Sequence, residues 1–280
     1  MATPIGNLAD LTLRAIHVLA VVDAVACEDT RVSAGLLRHL GLDKPLIALH
    51  QHNEAQAAAL VLQRLRQGQR VAYVSDAGTP AVSDPGAVLV AQVAACGHRV
   101  LPIPGASSAL AALSVAGDAR SNGFEFIGFL PARGTERATA LRRLGQGTTA
   151  QVLFEAPHRI DALARELAAL APQRTLTLCR ELTKQFETVA TMAAAQWPAW
   201  LAADANRQRG EFVLVLHAPE PVESVDDDLP AAAQHMLAVL LRDLPLKQAV
   251  GLAAELSGAP RNALYQAALQ RKADAPDTAT

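Results

Sequence analysis

Short β-branched segments alternate with helical patterns through the first 117 residues, and this alternation constrains the fold more than any other feature of the sequence. A strand followed each time by a helix is typical of a parallel sheet whose crossovers are helices. The predicted strands are 25–28, 45–49, 70–75 and 99–104. The predicted helices are 9–22, 31–39, 53–67, 86–96 and 106–116. We therefore predict an α/β domain over residues 1–117 with a mostly parallel sheet covered on both faces. Ligands of such sheets bind at the carboxyl ends of the strands.

The pattern changes after Gly117, where strands become more frequent than helices. The predicted strands are 124–130, 151–154, 175–180, 187–191 and 211–217, and the clear helices are 134–144 and 158–170. Only a short link separates 175–180 from 187–191, so these two strands are able to pair as a hairpin. The sequence predicts a second α/β domain over residues 118–219, with a mixed sheet.

The last part of the chain has a different composition. Residues 220–230 are acidic and contain prolines, which is typical of a linker. Three short helices are predicted beyond it, at 231–243, 246–257 and 261–271, with a break at 258–260. Their spacing indicates a helix-turn-helix-like module over 231–272.

This module has two open interpretations, an RNA anchor or a helical appendage that packs on other protein surface. Its predicted core is Val250, Ala253, Ala254, Leu256, Leu264 and Ala268. The predicted outward residues are Arg261, Asn262, Tyr265, Arg271 and Lys272. As an RNA anchor, the module would bind through Arg261, Tyr265 and Lys272, whose cationic members suit phosphates.

Composition excludes several classes of protein. Hydrophobic residues make up 51% and charged residues 19% of the chain, so it is able to bury real cores. No apolar stretch approaches the ~20 residues of a membrane-spanning helix, and the N-terminus lacks the pattern of a signal peptide. The net charge of −2 gives no strong basic field. We expect a cytoplasmic protein without a membrane partner.

Four segments that follow predicted strands or open helices carry more Gly, Pro, Asp and Ser than a connection requires. They are 3–7 (TPIGN), 28–31 (EDTR), 75–86 (SDAGTPAVSDPG) and 102–108 (PIPGASS). Together they would form one rim of the sheet, rich in free backbone N–H groups. A nucleoside-type site is the better interpretation of four such loops on one rim. Neither GxGxxG nor GxxxxGK[ST] occurs, which disfavours dinucleotide and triphosphate sites.

Two histidines, His50 and His52, follow the strand at 45–49 and suggest a metal at first sight. They would point to opposite sides of a continued strand, and no third ligand is obvious. We predict polar substrate or interface contacts there and no metal site.

The rim segments, together with the HisArg pair at 158–159, the ArgGluLeuThrLys run at 180–184 and the ArgGlyGlu run at 209–211, resemble the tetrapyrrole-methylase superfamily. Within it the chain is similar to the branch that methylates small-subunit ribosomal RNA. The likeness runs in order from Thr3 to about Gln270. It implies two α/β domains with S-adenosylmethionine bound between them, usually in a homodimer. The implied reaction is 2′-O-methylation of a cytidine, cytidine 1402, in the decoding region of 16S rRNA within the small ribosomal subunit.

The resemblance also implies a set of cofactor-binding residues on both domains. From the first domain they are Pro4, Gly6, Asn7, Ser75, Asp76, Gly78, Thr79, Pro80, Gly105, Ser107 and Ser108, and from the second Phe154 and Glu211.

Methyl transfer to a ribose hydroxyl needs in-line alignment and a group that removes a proton or stabilises the oxyanion. The resemblance names no such group. The ranked candidates for catalysis are Asp29 with Arg31, then Lys184 with Glu187, then His52.

Two other functions remain open from the sequence. One is methylation of a tetrapyrrole or a modified histidine, against which the module at 231–272 argues. The other is ribosome binding without catalysis, against which the intact rim loops argue. The resemblance further implies a short hydrophobic strand before Thr3, where only Met1 and Ala2 stand. We expect the reading frame upstream of Met1 to encode more apolar residues.

Overall fold

The computed structural model describes residues 1–50, 53–220 and 229–273, with side chains to residue 271. The chain divides into two compact units, Met1–Glu220 and Pro221–Thr280, and each is described by itself. No helix in the described residues is long and apolar enough to cross a membrane.

The first unit opens with a three-stranded parallel sheet in the order β2-β1-β3. Its strands are β1 (Ala24–Cys27), β2 (Leu46–Ala48) and β3 (Val71–Val74). The helices of this part are α1 (Leu13–Val21), α2 (Thr30–His39), α3 (Glu54–Arg66), α4 (Ala87–Ala95) and α5 (Ser108–Ala116).

The central strand β1 is buried along its whole length, and its side chains alternate between two cores. Ala24 and Ala26 pack with α3 and α4, whereas Val25 and Cys27 pack with α1 and α2. This alternation follows from the two-residue period of a strand. The prediction of a parallel sheet covered on both faces is confirmed.

The predicted strand at 99–104 does not form. Pro102 and Pro104 have no N–H to donate, so the segment is a poor member of a sheet ladder. The Ile103 oxygen of this segment accepts a main-chain hydrogen bond of 3.2 Å from the Ala2 N–H. Val100 and Leu101 are accordingly about half exposed.

The predicted helix at 9–22 begins later, at Leu13, because polar side chains divide it. A 3₁₀ turn (Leu8–Asp10) comes first, and the Asn7 side chain accepts from the Ala9 N–H. Thr12 then caps α1 by accepting from the Ala15 N–H at 3.1 Å.

A second sheet has five strands in the order β4-β5-β8-β6-β7. They are β4 (Phe124–Phe129), β5 (Ala150–Glu155), β6 (Thr175–Arg180), β7 (Thr188–Ala193) and β8 (Phe212–Leu216). Only the β4–β5 pair is parallel, and β6 pairs with β7 as an antiparallel hairpin. The predictions of a mixed sheet and of this hairpin are confirmed.

Helices cover both faces of the second sheet. On one face lie α6 (Gly134–Gln146), α7 (Ile160–Leu170) and α8 (Trp197–Ala202), over a core that contains Trp197. On the other face, α5 packs small residues such as Ala109 and Ala112 against Val152, Val213 and Val215. Helix α5 therefore belongs by sequence to the predicted domain 1–117, but it packs on the five-stranded sheet of residues 124–216. The predicted boundary between residues 117 and 118 falls between the two sheets and stays a prediction.

The second unit contains three helices, α9 (Ala231–Asp243), α10 (Leu246–Ser257) and α11 (Arg261–Ala273). Gly258 ends α10 with a φ of 70°, which only glycine adopts without strain. The buried core includes Val250, Ala253, Leu264 and Ala268, with Ala254 packed against it. Leu256 was predicted in this core, but it is 65% exposed in the last turn of α10. Most of the predicted linker, 221–228, lies outside the described residues.

Candidate functional site

Three of the four predicted rim loops are joined by hydrogen bonds. Thr3 and Gly78 exchange two main-chain bonds, of 2.9 and 3.0 Å, and form an isolated bridge. The Thr3 hydroxyl donates to the Ser75 oxygen at 3.0 Å, and the Thr79 hydroxyl donates to the Ala106 oxygen at 3.1 Å. The segments 3–7, 75–80 and 102–108 thus form one connected surface, which we call the rim.

Two glycines allow the rim loops to approach each other. Gly78 has a φ of 77°, and a Cβ there would lie 3.4 Å from Ile5 Cγ2. A Cβ on Gly105 would lie 2.9 Å from the Cβ of Ala2, which is closer than real Cβ contacts. Both positions therefore need a residue without a side chain.

The remaining predicted cofactor residues of the first domain lie on the same loops. Ser107 precedes α5 and accepts the Ala111 N–H on its main-chain oxygen, and Ser108 is the first residue of that helix. Pro4 and Pro80 are half-buried, Asn7 is exposed, and Asp76 accepts a hydrogen bond on its side chain from the Asp29 N–H at 2.9 Å. The last bond joins the fourth loop, 28–31, to the rim.

In the second domain, the loop from Glu181 to Glu187 is held by its own charged groups. The Lys184 ammonium lies 3.0 Å from Glu181 and 2.8 Å from Glu211. The Glu187 carboxylate accepts from the Thr183 N–H at 2.6 Å. Glu181 and Thr183 both have positive φ, a strained conformation that clusters at functional sites.

The two loop systems meet at Gly6. A Cβ at this position would lie 2.4 Å from Lys184 Cγ and 3.1 Å from the Leu182 oxygen. Phe154 packs in the same cluster as Ile5 and Leu182. The structure thus brings predicted residues of both domains together. Gly6 contacts Lys184, and Phe154 packs with Ile5 and Leu182, their neighbours in the chain. Glu211 joins them through Lys184.

Two carboxyl groups, Glu28 and Asp84, lie near Asp76 of the rim, and their pKa values are raised by burial and by neighbouring negative charge. Burial first, and then Glu28 and Asp76, raise the pKa of Asp84 to about 6. Burial and Asp76 likewise raise the pKa of Glu28. A carboxyl group with a pKa near neutrality beside a ligand surface is a candidate for proton transfer. In the sequence Asp84 is one polar residue of a loop, and its burial, which the sequence does not show, distinguishes it.

The predicted catalytic residues have different surroundings. Asp29 is ion-paired with Arg31 at 2.6 Å and accepts the Arg31 N–H at the start of α2, so its pKa is lowered to about 2. Burial alone would lower the pKa of Lys184, but its hydrogen bonds to Glu211 and Glu181 raise it. Lys184 is therefore a cation at neutral pH. His52 lies outside the described residues.

Among the residues that the structure describes, no group of three His, Cys, Asp or Glu side chains is arranged to hold a metal ion.

The predicted RNA-binding residues lie on α11 of the second unit. Arg261 and Tyr265 are exposed there, as are Asn262 and Arg271. The side chain of Lys272 lies outside the described part of the chain. The outward orientation predicted for the four described residues is confirmed.

Comparison with known proteins identifies the family. Residues 2–197 match the model of the tetrapyrrole (corrin/porphyrin) methylases, and residues 227–272 match the model of the RsmI C-terminal HTH domain. The chain is 45% identical over 276 residues to ribosomal RNA small subunit methyltransferase I of Pseudomonas aeruginosa, covering 97% of this chain and 96% of that one. The chain belongs to the ribosomal RNA small subunit methyltransferase I family.

Other relatives in the methyltransferase I family agree. The protein of that name from Escherichia coli O157:H7 is 45% identical, covering 96% of this chain and 93% of its own length. The one from Neisseria meningitidis serogroup A is 46% identical, with coverage of 97% and 92%. The resemblance predicted from the rim motifs is confirmed at the level of this family.

Solved structures confirm the fold. A Thermus thermophilus uroporphyrin-III C-methyltransferase, solved with S-adenosylhomocysteine, matches with a TM-score of 0.54 at 18% identity, over 78% of this chain and 95% of that one. A diphthine synthase matches with a TM-score of 0.58 at 14% identity, over 77% of this chain and 88% of that one. At these identities the likeness shows the tetrapyrrole-methylase fold alone.

Proposed function

We propose that this protein is an S-adenosylmethionine-dependent methyltransferase that methylates the ribose 2′-oxygen of a cytidine in the decoding region of 16S rRNA. The observation that carries the proposal is the 45% identity over 97% of the chain to a protein named for methylation of small-subunit rRNA. The matched structures of a uroporphyrin-III C-methyltransferase and a diphthine synthase are only 21% and 14% identical to this chain, which favours the RNA substrate. The small ribosomal subunit is the proposed partner, and a homodimer is the proposed assembly.

The rim suits this cofactor. Gly78 and Gly105 let the rim loops pack closely enough to form one surface, to which they contribute main-chain groups. The carboxylates of Glu28, Asp76 and Asp84 concentrate negative charge at the rim, and burial penalises that charge in Glu28 and Asp84. A cationic ligand relieves the penalty, and S-adenosylmethionine carries both a sulfonium and an ammonium group. The cofactor residues from Pro4 to Glu211 given above are proposed to hold it.

When bound, S-adenosylmethionine would supply an electrophilic methyl group, and its transfer to the ribose oxygen would release S-adenosylhomocysteine. The protein must then align the oxygen, remove its proton and stabilise the negative charge that develops on it. Asp84 suits the role of proton acceptor, because its pKa of about 6 leaves it ionised at neutral pH and still basic enough to take a proton.

Lys184 suits the role of the stabilising cation. It is charged, it is fixed by Glu181 and Glu211, and its side chain contacts the rim at Gly6. Asp29 with Arg31, Glu187 and His52 remain candidates, although the low pKa of Asp29 makes it a weaker base than Asp84.

The direct test is methylation of isolated small subunits that lack the modification. Nucleoside analysis after incubation with labelled S-adenosylmethionine should yield 2′-O-methylcytidine. Calorimetric titration of the isolated protein with S-adenosylmethionine separates an enzyme from a ribosome-binding protein that does not use the cofactor, since the latter would show no binding.

A further inference from the structure

Four of the six phenylalanines lie on one face of the second sheet, three on its edge strand β4 and one on the neighbouring strand β5. Phe124, Phe126 and Phe129 of β4 pair with Ala150, Val152 and Phe154 of β5, and side chains of paired residues share a face. The three β4 rings are 43%, 36% and 54% exposed. The neighbouring strands of this face are covered by α5, whereas β4 extends beyond it.

A β-bulge places Phe129 on this face. The register of β4 against β5 skips a residue between Phe126 and Gly128, so Phe129 pairs with Phe154. Without the bulge, the two-residue period would turn Phe129 toward the opposite face, over the core of α6 and α7. Gly128 has a φ of 69°, which suits a bulge and disfavours any other residue.

The bulge creates a compact aromatic group. Phe126 and Phe129 contact Phe154 edge to face, with ring centroids 5.1 and 5.6 Å away. Edge-to-face packing on an inner ring fixes the two outer rings and leaves part of each open. We call Phe126 and Phe129 the aromatic platform.

The platform adjoins the candidate site on two sides. Phe154 packs in the cluster that contains Ile5 of the rim and Leu182 of the Lys184 loop. A Cβ on Gly128 would lie 3.2 Å from the hydroxyl of Ser83, the residue before Asp84. A base stacked on the platform would therefore lie beside the proposed methyl-transfer site.

Cationic groups follow the platform on the loops after β4 and β5. Arg133 and His158 are exposed there, and Arg133 has no ion pair among the described residues. The loops themselves are fixed: Arg159 donates to the Leu130 oxygen at 2.7 Å, and buried Glu155 lies 3.0 Å from Arg159. Exposed rings, followed four residues later in the chain by a guanidinium with no ion pair among the described residues, complement a nucleotide, which has an apolar base face and an anionic phosphate.

We propose that the aromatic platform stacks a base of single-stranded RNA and that Arg133 contacts its phosphate. This assignment rests on the proposed function and adds the RNA-contacting residues of the first unit. The free charge at Arg133 favours a polyanion over a second copy of this chain as the occupant.

The test compares Phe129→Ala with Phe124→Ala in the full-length protein. Phe124 is the matched control, because it lies on the same strand and face with similar exposure, at the end remote from the loops. Binding of a short fluorescent oligocytidylate should weaken about 5- to 150-fold in Phe129→Ala, as for loss of one stacked base, and less than about twofold in Phe124→Ala. Phe129→Trp should restore binding, and Phe129→Leu should not.

Two further measurements fix the interpretation. Affinity for S-adenosylmethionine should be unchanged in Phe129→Ala, and so should the sedimentation coefficient. Equal RNA affinity in wild type and Phe129→Ala, or no binding by the wild type, would overturn the proposal. A change of oligomeric state in Phe129→Ala would assign the platform to a subunit contact instead. If the wild type binds RNA through Phe129 yet transfers no methyl group, the proposed reaction fails and the platform stands.

Discussion

At the scale of single residues, conformation and burial distinguish side chains that the sequence presents as equals. The loop at 75–86 contains two aspartates, and it is the structure that shows the burial by which the pKa of Asp84 is raised to about 6. Gly6 and Gly78 were predictable as rim glycines, because the motifs contain them. That Gly6 contacts the Lys184 side chain was not, since the two residues are far apart in sequence.

We predict that Gly78→Val abolishes binding of S-adenosylmethionine while the protein remains folded. A branched side chain at a φ of 77° strains the loop and fills the space beside Ile5. Gly68→Val is the matched control, because Gly68 has the same φ and no atom within 4 Å of its Cβ position. Calorimetric titration should show binding by the control variant only; equal affinities would contradict the assignment of Gly78 to the cofactor site.

Asp84→Asn should lower the rate of methyl transfer by about 10²–10⁴-fold. The free protein's kcat/KM should fall as pH drops through about 6, since Asp84 accepts a proton only when ionised and its pKa is raised to that value. The variant should lose this acidic limb. Asp43→Asn, an exposed aspartate of the α2–β2 connection, serves as control. An Asp84→Asn enzyme that keeps the wild-type pH profile would exclude Asp84 as the proton acceptor.

At the scale of elements, periodicity predicts most helices and strands to within a few residues, because each depends on a local pattern of apolar side chains. The strand predicted at 99–104 is absent for a different reason. A strand exists only with a partner, and the β-branched run there is interrupted by Pro102 and Pro104. The bulge at Gly128 was likewise not predictable from the sequence, because it depends on the register of β4 against β5.

We expect Glu155→Ala to destabilise the protein by about 3–5 kcal/mol. Glu155 is fully buried and lies 3.0 Å from Arg159, so its removal leaves a largely buried guanidinium without its counter-charge. Asp161→Ala is the comparison, because its carboxylate pairs with Arg165 in an exposed i,i+4 pair whose side chains are 39% and 70% exposed, and we expect a loss below about 1 kcal/mol. Urea denaturation of both variants would measure the difference, and equal losses would contradict this account of Glu155.

At the scale of the whole molecule, the chain combines a methylase body with a helical unit that has its own core. Both parts were predictable from sequence, since each carries a recognisable motif or spacing. The role of the helical unit was not predictable, because exposed Arg261 and Tyr265 suit either RNA or protein contacts.

Deletion of residues 229–280 should raise the KM for the small ribosomal subunit and leave affinity for S-adenosylmethionine unchanged. In the full chain, Arg261→Ala should weaken RNA binding and lower the slope of log affinity against log salt by about 0.7–0.9, as for one lost phosphate contact. Glu255→Ala, on α10 of the same unit, should not lower this slope. Unchanged subunit affinity and salt dependence after the deletion would give the unit a packing role.

The central claim is tested most directly by mass spectrometry of 16S rRNA fragments after small subunits lacking the modification are incubated with the protein and isotopically labelled S-adenosylmethionine. The account predicts one labelled methyl group on the ribose of a cytidine in the decoding-region fragment. Label on a base, label outside that fragment, or no label with a protein that binds both cofactor and subunit would contradict it.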